Sequence, residues 1–263
     1  MSRIREAFNR LQNGGRGGFI PFITAGDPDI ATTELLIAEL AAGGADIIEL
    51  GVPFSDPVAD GEIIQRASER ALRNGVTLAE VLACAARAKQ RSDVPLVLFS
   101  YFNPLLQFGV ERVAVEAQRA GVDGILVVDL IAEEAARWID ILQANDIDPI
   151  FLVAPTTSDA RLAQIARQAR GFIYAVARAG VTGLRTELMH EAEALVQRVR
   201  KVTDLPVAVG FGISAANQVR AVWQFADAAV IGSAIVAEIE KLGARPDLTQ
   251  RIADFARSLV ASN

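Results

Sequence analysis

Eight short apolar segments, each followed by a stretch with helical spacing, constrain the fold of this chain most strongly. The short segments are rich in β-branched residues, whereas the stretches between them repeat apolar residues every three or four positions. Strands that alternate with helices are typical of parallel sheets built from β-α-β units. The predicted strands cover residues 19–23, 46–51, 96–101, 124–128, 149–153, 172–176, 207–210 and 228–231.

The predicted helices fill the gaps between these strands. A charged amphipathic helix also begins at the amino terminus, ahead of the first strand. Residues 94–110 contain two prolines and several polar residues, and this pattern indicates a buried strand followed by a turn. The other helices are predicted at residues 32–42, 61–73, 78–89, 110–120, 133–145, 160–168, 189–201, 215–225 and 247–260.

Eight strand-helix units that close on themselves give a (β/α)8 barrel, the TIM barrel, here with an extra N-terminal helix and additional helices. The length of 263 residues suits one such barrel, and no linker or shift in composition divides the chain. We therefore predict a single barrel domain over residues 1–263. The nearest rival is an open doubly wound sheet, but no Gly-x-Gly-x-x-Gly follows the first predicted strand.

Composition argues against several classes of function. Although 51% of the residues are apolar, no run approaches the roughly 20 residues of a membrane span. A net charge of −6, with scattered Lys and Arg, argues against a nucleic-acid partner. The single cysteine, Cys84, and single histidine, His190, exclude multi-histidine metal sites and disfavour cysteine-based ones. The amino terminus lacks the apolar stretch of a secretory signal, so we expect a cytoplasmic location.

Two acidic residues are the first candidates for catalysis. Glu49 shares a strand face with Ile47, where an uncompensated polar group costs roughly 2–7 kcal/mol and a charge costs more. That cost favours a function over a structural ion pair with an arginine. Asp60 precedes a helical segment, where aspartate is a preferred N-cap, so a purely structural role is open for it. Two carboxyl groups in different environments suit acid/base chemistry.

The loops after the last three strands carry candidates for ligand binding, because barrel enzymes build their sites at the carboxyl ends of the strands. Gly212 and Ser214 follow strand 7, and Gly232 and Ser233 follow strand 8. Backbone N–H groups at such helix starts can bind phosphate, although the serines can also be plain N-caps. The loop after strand 6, near residues 178–188, is rich in Gly and Thr and long enough to cover a ligand.

Together these segments resemble the tryptophan synthase alpha subunit family over essentially the whole chain. The resemblance implies a (β/α)8 barrel that cleaves indole-3-glycerol phosphate into indole and glyceraldehyde 3-phosphate. It also implies transfer of indole to a beta subunit that carries pyridoxal phosphate (PLP), an alpha-beta-beta-alpha complex, and no cofactor or metal in this chain. The segment 49–61 is the most specific match; the others are residues 19–28, 101–104, 171–174, 178–183, 210–214 and 232–234.

The resemblance also implies roles for individual residues. Glu49 would protonate indole C3 and then deprotonate the side-chain hydroxyl, Asp60 would accept the indole N–H, and Tyr174 would orient or stabilise the substrate. The remaining expected site residues are indole walls, phosphate ligands and partner contacts. They are Phe22, Tyr101, Leu126 and Phe211 for indole, Thr182, Gly183, Gly212, Gly232 and Ser233 for phosphate, and Pro53 and Asp56 for the beta subunit.

The chain departs from the family pattern at two places. Residues 129–134 lack the proline that usually follows Asp-Leu in a loop that meets the beta subunit, and Ala177 replaces a common serine. Three functions stay open: an alpha subunit activated by beta, a stand-alone lyase that releases indole, and a barrel that mainly activates beta. A generic phosphate-binding barrel enzyme, such as an isomerase, would be favoured only if Glu49 were paired structurally.

Overall fold

The eight predicted strands close into one parallel barrel in a computed structural model of the chain, which describes residues 2–177, 185–210 and 212–261. Each strand pairs in parallel with the next, and the last pairs with the first. The strands are β1 (Gly18–Thr24), β2 (Ile48–Gly51), β3 (Leu96–Ser100), β4 (Gly124–Val127), β5 (Asp148–Val153), β6 (Ile173–Val176), β7 (Val207–Gly210) and β8 (Ala228–Ile231).

Twelve helices within the described residues surround this barrel, and the predicted fold class is confirmed. Their order follows the β-α alternation, with an additional helix at each end of the chain and after several strands. They are α1 (Arg3–Gly14), α2 (Ile30–Ala42), α3 (Glu62–Arg73), α4 (Leu78–Lys89), α5 (Phe102–Phe108), α6 (Val110–Arg119), α7 (Ala136–Ala144), α8 (Asp159–Gln168), α9 (Arg185–Val199), α10 (Ala216–Val222), α11 (Ser233–Leu242) and α12 (Leu248–Val260).

Helix α1 covers the amino-terminal end of the barrel. Its buried face includes Ile4, Phe8 and Leu11, and the ring of Phe8 lies 5.8 Å from that of Phe172 in the interior. Gly124 opens β4 directly beneath this helix, where a Cβ atom would come within 2.9 Å of the Ile4 side chain. The close approach of α1 therefore needs glycine at this position, and it leaves the carboxyl end of the barrel as the accessible end.

Two apolar layers hold the barrel together. The interior layer includes Ile20, Ile47 and Val97, whose side chains alternate along the strands with those that face the helices. A larger layer lies between strands and helices, with α2 packed against α4 and α12. Each large apolar side chain buried here contributes about 1.5–3 kcal/mol of transfer free energy. In the part of the chain that the structure describes, no helix is both long and apolar enough to cross a membrane.

Two helices were absent from the predicted set. Helix α5 lies where a turn was expected after the third strand, because Pro104 occupies its first turn, a position at which proline is compatible with a helix. Helix α11 follows the glycine and serine after β8. The predicted strand bounds differ from the observed ones by two residues at most, and β7 and β8 agree at both ends.

Candidate active site

The carboxyl end of the barrel encloses a cavity of about 570 Å³. Its walls come from strand ends on both sides of the barrel and from the loops that follow them. The lining residues from the predicted set are Phe22, Glu49, Asp60, Tyr174, Gly212, Gly232 and Ser233. Seven of the predicted site residues are thus brought to one cavity.

Glu49 lies on the inner face of β2, in register with Phe22 of β1 and Val97 of β3. The residue is 1% exposed, and its Oε1 atom has no hydrogen-bond partner among the described residues. Burial raises the pKa of this carboxyl group to about 8, and no cation opposes that shift. The alternative of a structural ion pair with an arginine therefore has no support in the described part of the chain.

Asp60 does not cap the helix that follows it. Helix α3 begins at Glu62, its N-cap residue is Gly61, and no side chain bonds to its first N–H groups. The interpretation of Asp60 as a structural N-cap is therefore wrong. Its side chain lines the cavity, where burial raises its pKa to about 6 and a hydrogen bond with Tyr101 partly opposes this shift.

Tyr101 supports the loop that carries Asp60. Its hydroxyl oxygen accepts a hydrogen bond from the backbone N–H of Ala59 at 2.9 Å, and its ring lies 5.2 Å from that of Phe54. Both partners belong to the loop between β2 and α3. Tyr101 is buried behind this loop and does not line the cavity. It thus contacts Asp60 from the side opposite the open space.

Tyr174 places its hydroxyl group inside the barrel beside the carboxyl ends of the strands. Burial, and secondly the nearby Glu49 charge, raise the pKa of this phenol well above its ordinary value. The hydroxyl therefore stays protonated and can donate a hydrogen bond. A Cβ atom at Gly210 would lie 2.5 Å from the Tyr174 oxygen, so the neighbouring strand must present a glycine there.

The two helix starts predicted to bind phosphate differ in their hydrogen bonding. At α10 the Gln218 side chain accepts from the backbone N–H groups of Ser214 at 2.9 Å and Ala215 at 3.1 Å. At α11 no side chain caps the helix, whose N-cap is Gly232. Helix α11 therefore presents open N–H groups and the positive end of its dipole to the cavity. Neither Ser214 nor Ser233 is the N-cap residue.

The remaining predicted site residues lie away from the described cavity walls. Leu126 is fully buried in the interior layer of the barrel and does not line the cavity. Pro53 is buried and Asp56 is exposed in the loop between β2 and α3. Three predicted site residues fall outside the described residues, namely Thr182, Gly183 and Phe211.

Several cavity residues were missed by the sequence reasoning. Phe99 meets the ring of Phe22 edge to face at 5.3 Å, and its place on the inner face of a predicted strand was a usable signal. Arg161 reaches the cavity from α8 and pairs with Glu133 at 2.8 Å. No local pattern distinguishes Arg161 from the other arginines on helices, so only the fold reveals it.

A closed barrel with two carboxyl groups of raised pKa and an open helix start at one end defines an enzyme that performs acid/base chemistry on a phosphorylated substrate. The family model described as "Tryptophan synthase alpha chain" matches residues 8–261. The chain belongs to the tryptophan synthase alpha chain family, and the predicted lyase activity on indole-3-glycerol phosphate is confirmed with that membership.

Individual relatives agree along nearly the whole chain. The tryptophan synthase alpha chain of Geobacter sulfurreducens is 48% identical over 259 residues, which cover 98% of each chain. Among solved structures, tryptophan synthase subunit alpha from Legionella pneumophila superposes with a TM-score of 0.91 at 34% identity, covering 98% of this chain and 97% of that one. The tryptophan synthase α2β2 complex from Pyrococcus furiosus gives 0.87 at 39% identity, with 93% and 98% covered.

Proposed function

We propose that the cavity binds indole-3-glycerol phosphate with the indole ring between Glu49 and Asp60 and the phosphate at the start of α11. The observation that carries this proposal is the buried, unpaired carboxyl group of Glu49 in the same cavity as Asp60. A carboxyl group that stays protonated near neutral pH can donate a proton, whereas the lower pKa of Asp60 leaves it ionised. Glu49 is thus suited to donate a proton, and Asp60 is suited to accept a hydrogen bond as a carboxylate.

In the proposed reaction Glu49 first donates its proton to indole C3, which leaves positive charge on the ring nitrogen. The Asp60 carboxylate accepts a hydrogen bond from the indole N–H and stabilises that charge. The Glu49 carboxylate then removes the proton from the hydroxyl group on the adjacent side-chain carbon. As that oxygen forms a carbonyl, the bond to C3 breaks and its electron pair restores the aromatic ring. Glu49 ends the cycle protonated, as it began.

The other cavity residues would hold the substrate. Phe22 and Phe99 provide an apolar wall for the planar ring, and the protonated Tyr174 hydroxyl can donate to a substrate oxygen. The N–H groups after Gly232, with the Ser233 hydroxyl, would bind the phosphate oxygens. The roles of Thr182, Gly183 and Phe211 as further ligands stay predictions.

We further propose that a beta subunit docks at the carboxyl end of the barrel, in an alpha-beta-beta-alpha complex with PLP on beta alone. Val58 is 81% exposed in the loop that also holds Asp56 and Pro53, and Ile131 is exposed in the loop after β4. Exposed apolar side chains support an interface when they form one contiguous patch. The subunits of the Pyrococcus furiosus α2β2 complex activate each other, which supports a corresponding partnership for this chain.

The loop that lacks the usual proline keeps an ordered turn. The N–H of Glu134 donates to the Ile131 carbonyl oxygen at 3.1 Å, and the Asp129 carboxylate accepts from the backbone N–H of Phe102 at 2.7 Å. These bonds tie the loop after β4 to α5 without proline. They support an interface that tolerates the substitution.

Indole release from indole-3-glycerol phosphate by the purified chain, with and without a cognate beta subunit, tests this proposal. A large rise in rate with beta supports the alpha subunit of a complex. Fast turnover that beta does not change favours the stand-alone lyase, and absence of turnover in both cases favours the barrel that mainly activates beta. We propose a cytoplasmic location, as predicted from the amino-terminal sequence; fractionation of cells tests it.

A further inference from the structure

We propose that Arg70 and Glu240 are positioning residues that hold the indole-binding half and the phosphate-binding half of the site at a fixed separation. They belong to an ion-pair network that we call the α3–α11 clamp, formed by Asp27, Arg66, Arg70 and Glu240. The clamp lies outside the cavity, since none of these four residues lines it. The inference rests on the assignment of the two half-sites made above.

The two helices of the clamp begin at opposite halves of the proposed site. Asp60 and Gly61 immediately precede α3 on the indole side, and Gly232 immediately precedes α11 on the phosphate side. Any rotation or sliding of one helix relative to the other therefore changes the distance between Asp60 and the phosphate-binding N–H groups. The two helices pack directly against each other.

Close to the cavity this packing is small and apolar. Ile64 and Ala67 of α3 meet Val236 of α11 in a cluster completed by Phe22 of β1. Apolar contacts of this kind are non-directional, and they hold two helices together without fixing one register. Among the described residues, the directional contacts between α3 and α11 come from the clamp. Arg70 and Glu240 lie about two turns, roughly 11 Å, from the starts of their helices, and Arg66 lies about one turn from the start of α3.

The clamp joins three neighbouring strand-helix units through one guanidinium group. Arg70 donates from Nε and Nη2 to the two carboxylate oxygens of Asp27, both at 2.8 Å, and from Nη1 to Glu240 at 2.7 Å. Asp27 follows β1 and is 2% exposed, so it provides a fixed anchor. Arg66 makes a second paired contact with Glu240, at 2.8 Å for both bonds. Paired contacts of planar groups fix orientation as well as distance.

The charge of Glu240 persists at every pH at which the enzyme can work. Hydrogen bonds from Arg66, together with the charge of Arg70, lower the pKa of its carboxyl group to about 2. A neighbour on the same helix offers a matched control, because Glu238 pairs only with Lys241 one turn away at 3.0 Å. Lys241 of that pair is exposed and Glu238 is partly buried, and both residues belong to α11.

The separation of the half-sites matters only for a ligand that occupies both at once. Indole alone or glycerol phosphate alone binds only one half-site, so its affinity does not depend on the distance between the two half-sites. A ligand that joins an indole ring to a phosphate through a short alkyl chain must fit both halves, and its affinity depends on their relative position. A positioning role and a general structural role therefore predict different patterns of binding.

The test compares Glu240→Ala with Glu238→Ala and the wild-type chain. For each protein the dissociation constants of indole, glycerol phosphate and an indole-alkyl phosphate are measured by NMR titration, which reads millimolar affinities. We expect Glu240→Ala to weaken the indole-alkyl phosphate about tenfold and each separate fragment less than twofold. Glu238→Ala should leave all three constants unchanged. Glu240→Gln keeps one accepting oxygen but loses the paired contact with Arg66, and it should recover only part of the loss.

Two results would overturn the inference while leaving the proposed function intact. One is an affinity of Glu240→Ala for the indole-alkyl phosphate equal to that of the wild type. The other is a parallel loss for both fragments, which indicates general damage instead of a changed separation. Failure of the wild-type chain to bind the indole-alkyl phosphate would overturn the proposed function itself, and the inference with it.

Discussion

The hydroxyl group of Tyr101 bonds to the backbone N–H of Ala59 at 2.9 Å, and so fixes the residue directly before Asp60. Tyr101 directly follows β3, whereas Ala59 belongs to the loop after β2. The contact therefore crosses between two strand-helix units. It connects the position and the pKa of the Asp60 carboxyl group to a side chain that does not line the cavity.

Replacement of Tyr101 by Phe should move the acidic limb of the pH profile. The rate should rise as Asp60 ionises with a pKa of about 6 and fall as Glu49 loses its proton with a pKa of about 8. The Tyr101 hydrogen bond lowers the Asp60 pKa, so Tyr101→Phe should raise it. Profiles of kcat/KM for both proteins measure this shift. Titration of the substrate phosphate affects both profiles equally, and an unmoved acidic limb would count against the assignment.

Asp60→Ala should abolish most activity without destabilising the fold. Loss of an N-cap side chain costs about 1 kcal/mol, but the Asp60 carboxylate caps no helix. Alanine removes a carboxylate whose charged form burial disfavours, but it also removes the hydrogen bond with Tyr101, and these two effects oppose each other. We therefore expect Asp60→Ala to lose less free energy of unfolding than a variant that lacks an N-cap. Asp29→Ala is the matched control, because Asp29 caps α2 through the Thr32 N–H at 2.8 Å. Urea unfolding measures the loss of free energy of unfolding in both variants. Equal losses for Asp60→Ala and Asp29→Ala would support an N-cap role for Asp60.

Glu49→Gln should stabilise the protein increasingly as pH rises from about 4.5 to about 8. The pKa of Glu49 is about 8 when folded and near 4.5 when unfolded, so between these values the folded state binds more protons. The stability that the wild-type chain has below pH 4.5 is therefore lost progressively as pH rises towards 8. A glutamine does not titrate, and its advantage should grow by a value on the order of 5 kcal/mol across that range, because each pKa unit corresponds to about 1.4 kcal/mol. Unfolding at pH 5 and pH 9 tests this, and a constant difference would exclude a raised pKa.

Ser233→Ala and Ser214→Ala should differ in their effect on substrate binding. Ser233 lies at the open start of α11, so loss of its hydroxyl should raise KM roughly threefold to tenfold with little change in kcat. At Ser214 the backbone N–H is already bonded to Gln218, and the alanine variant should match the wild type. Steady-state measurements of KM and kcat for both variants and the wild type test this difference. A larger KM effect at Ser214 would place the phosphate at α10 instead.

Local patterns were sufficient for the barrel and for part of the site. The β-branched runs of β7 and β8 predicted both strands at their observed bounds, because a buried parallel strand needs an almost continuous apolar run. The alternation of side chains along a strand predicted that Glu49 shares a face with Ile47, and this face is the inner one. Of the seven predicted residues that reach the cavity, Gly212, Gly232 and Ser233 follow from the rule that loops after strands build the site, whereas Phe22 was implied by the family resemblance.

Long-range contacts account for what the sequence did not predict. Asp60 has the local pattern of an N-cap, and only the bond between Tyr101 and Ala59 reveals why the helix starts later. In the sequence Arg70 resembles any other arginine on a helix, and only the folded chain shows that it contacts Asp27 and Glu240. Each case depends on a partner that the one-dimensional pattern does not identify.

The most direct test of the mechanism is the rate of indole release by Glu49→Gln in the presence of a cognate beta subunit. The glutamine keeps the size of the buried side chain but can neither donate nor accept the proton. We predict that kcat falls at least about a thousandfold while the affinity for an indole-alkyl phosphate stays within a few fold. A kcat within tenfold of the wild-type value would contradict the central role of Glu49.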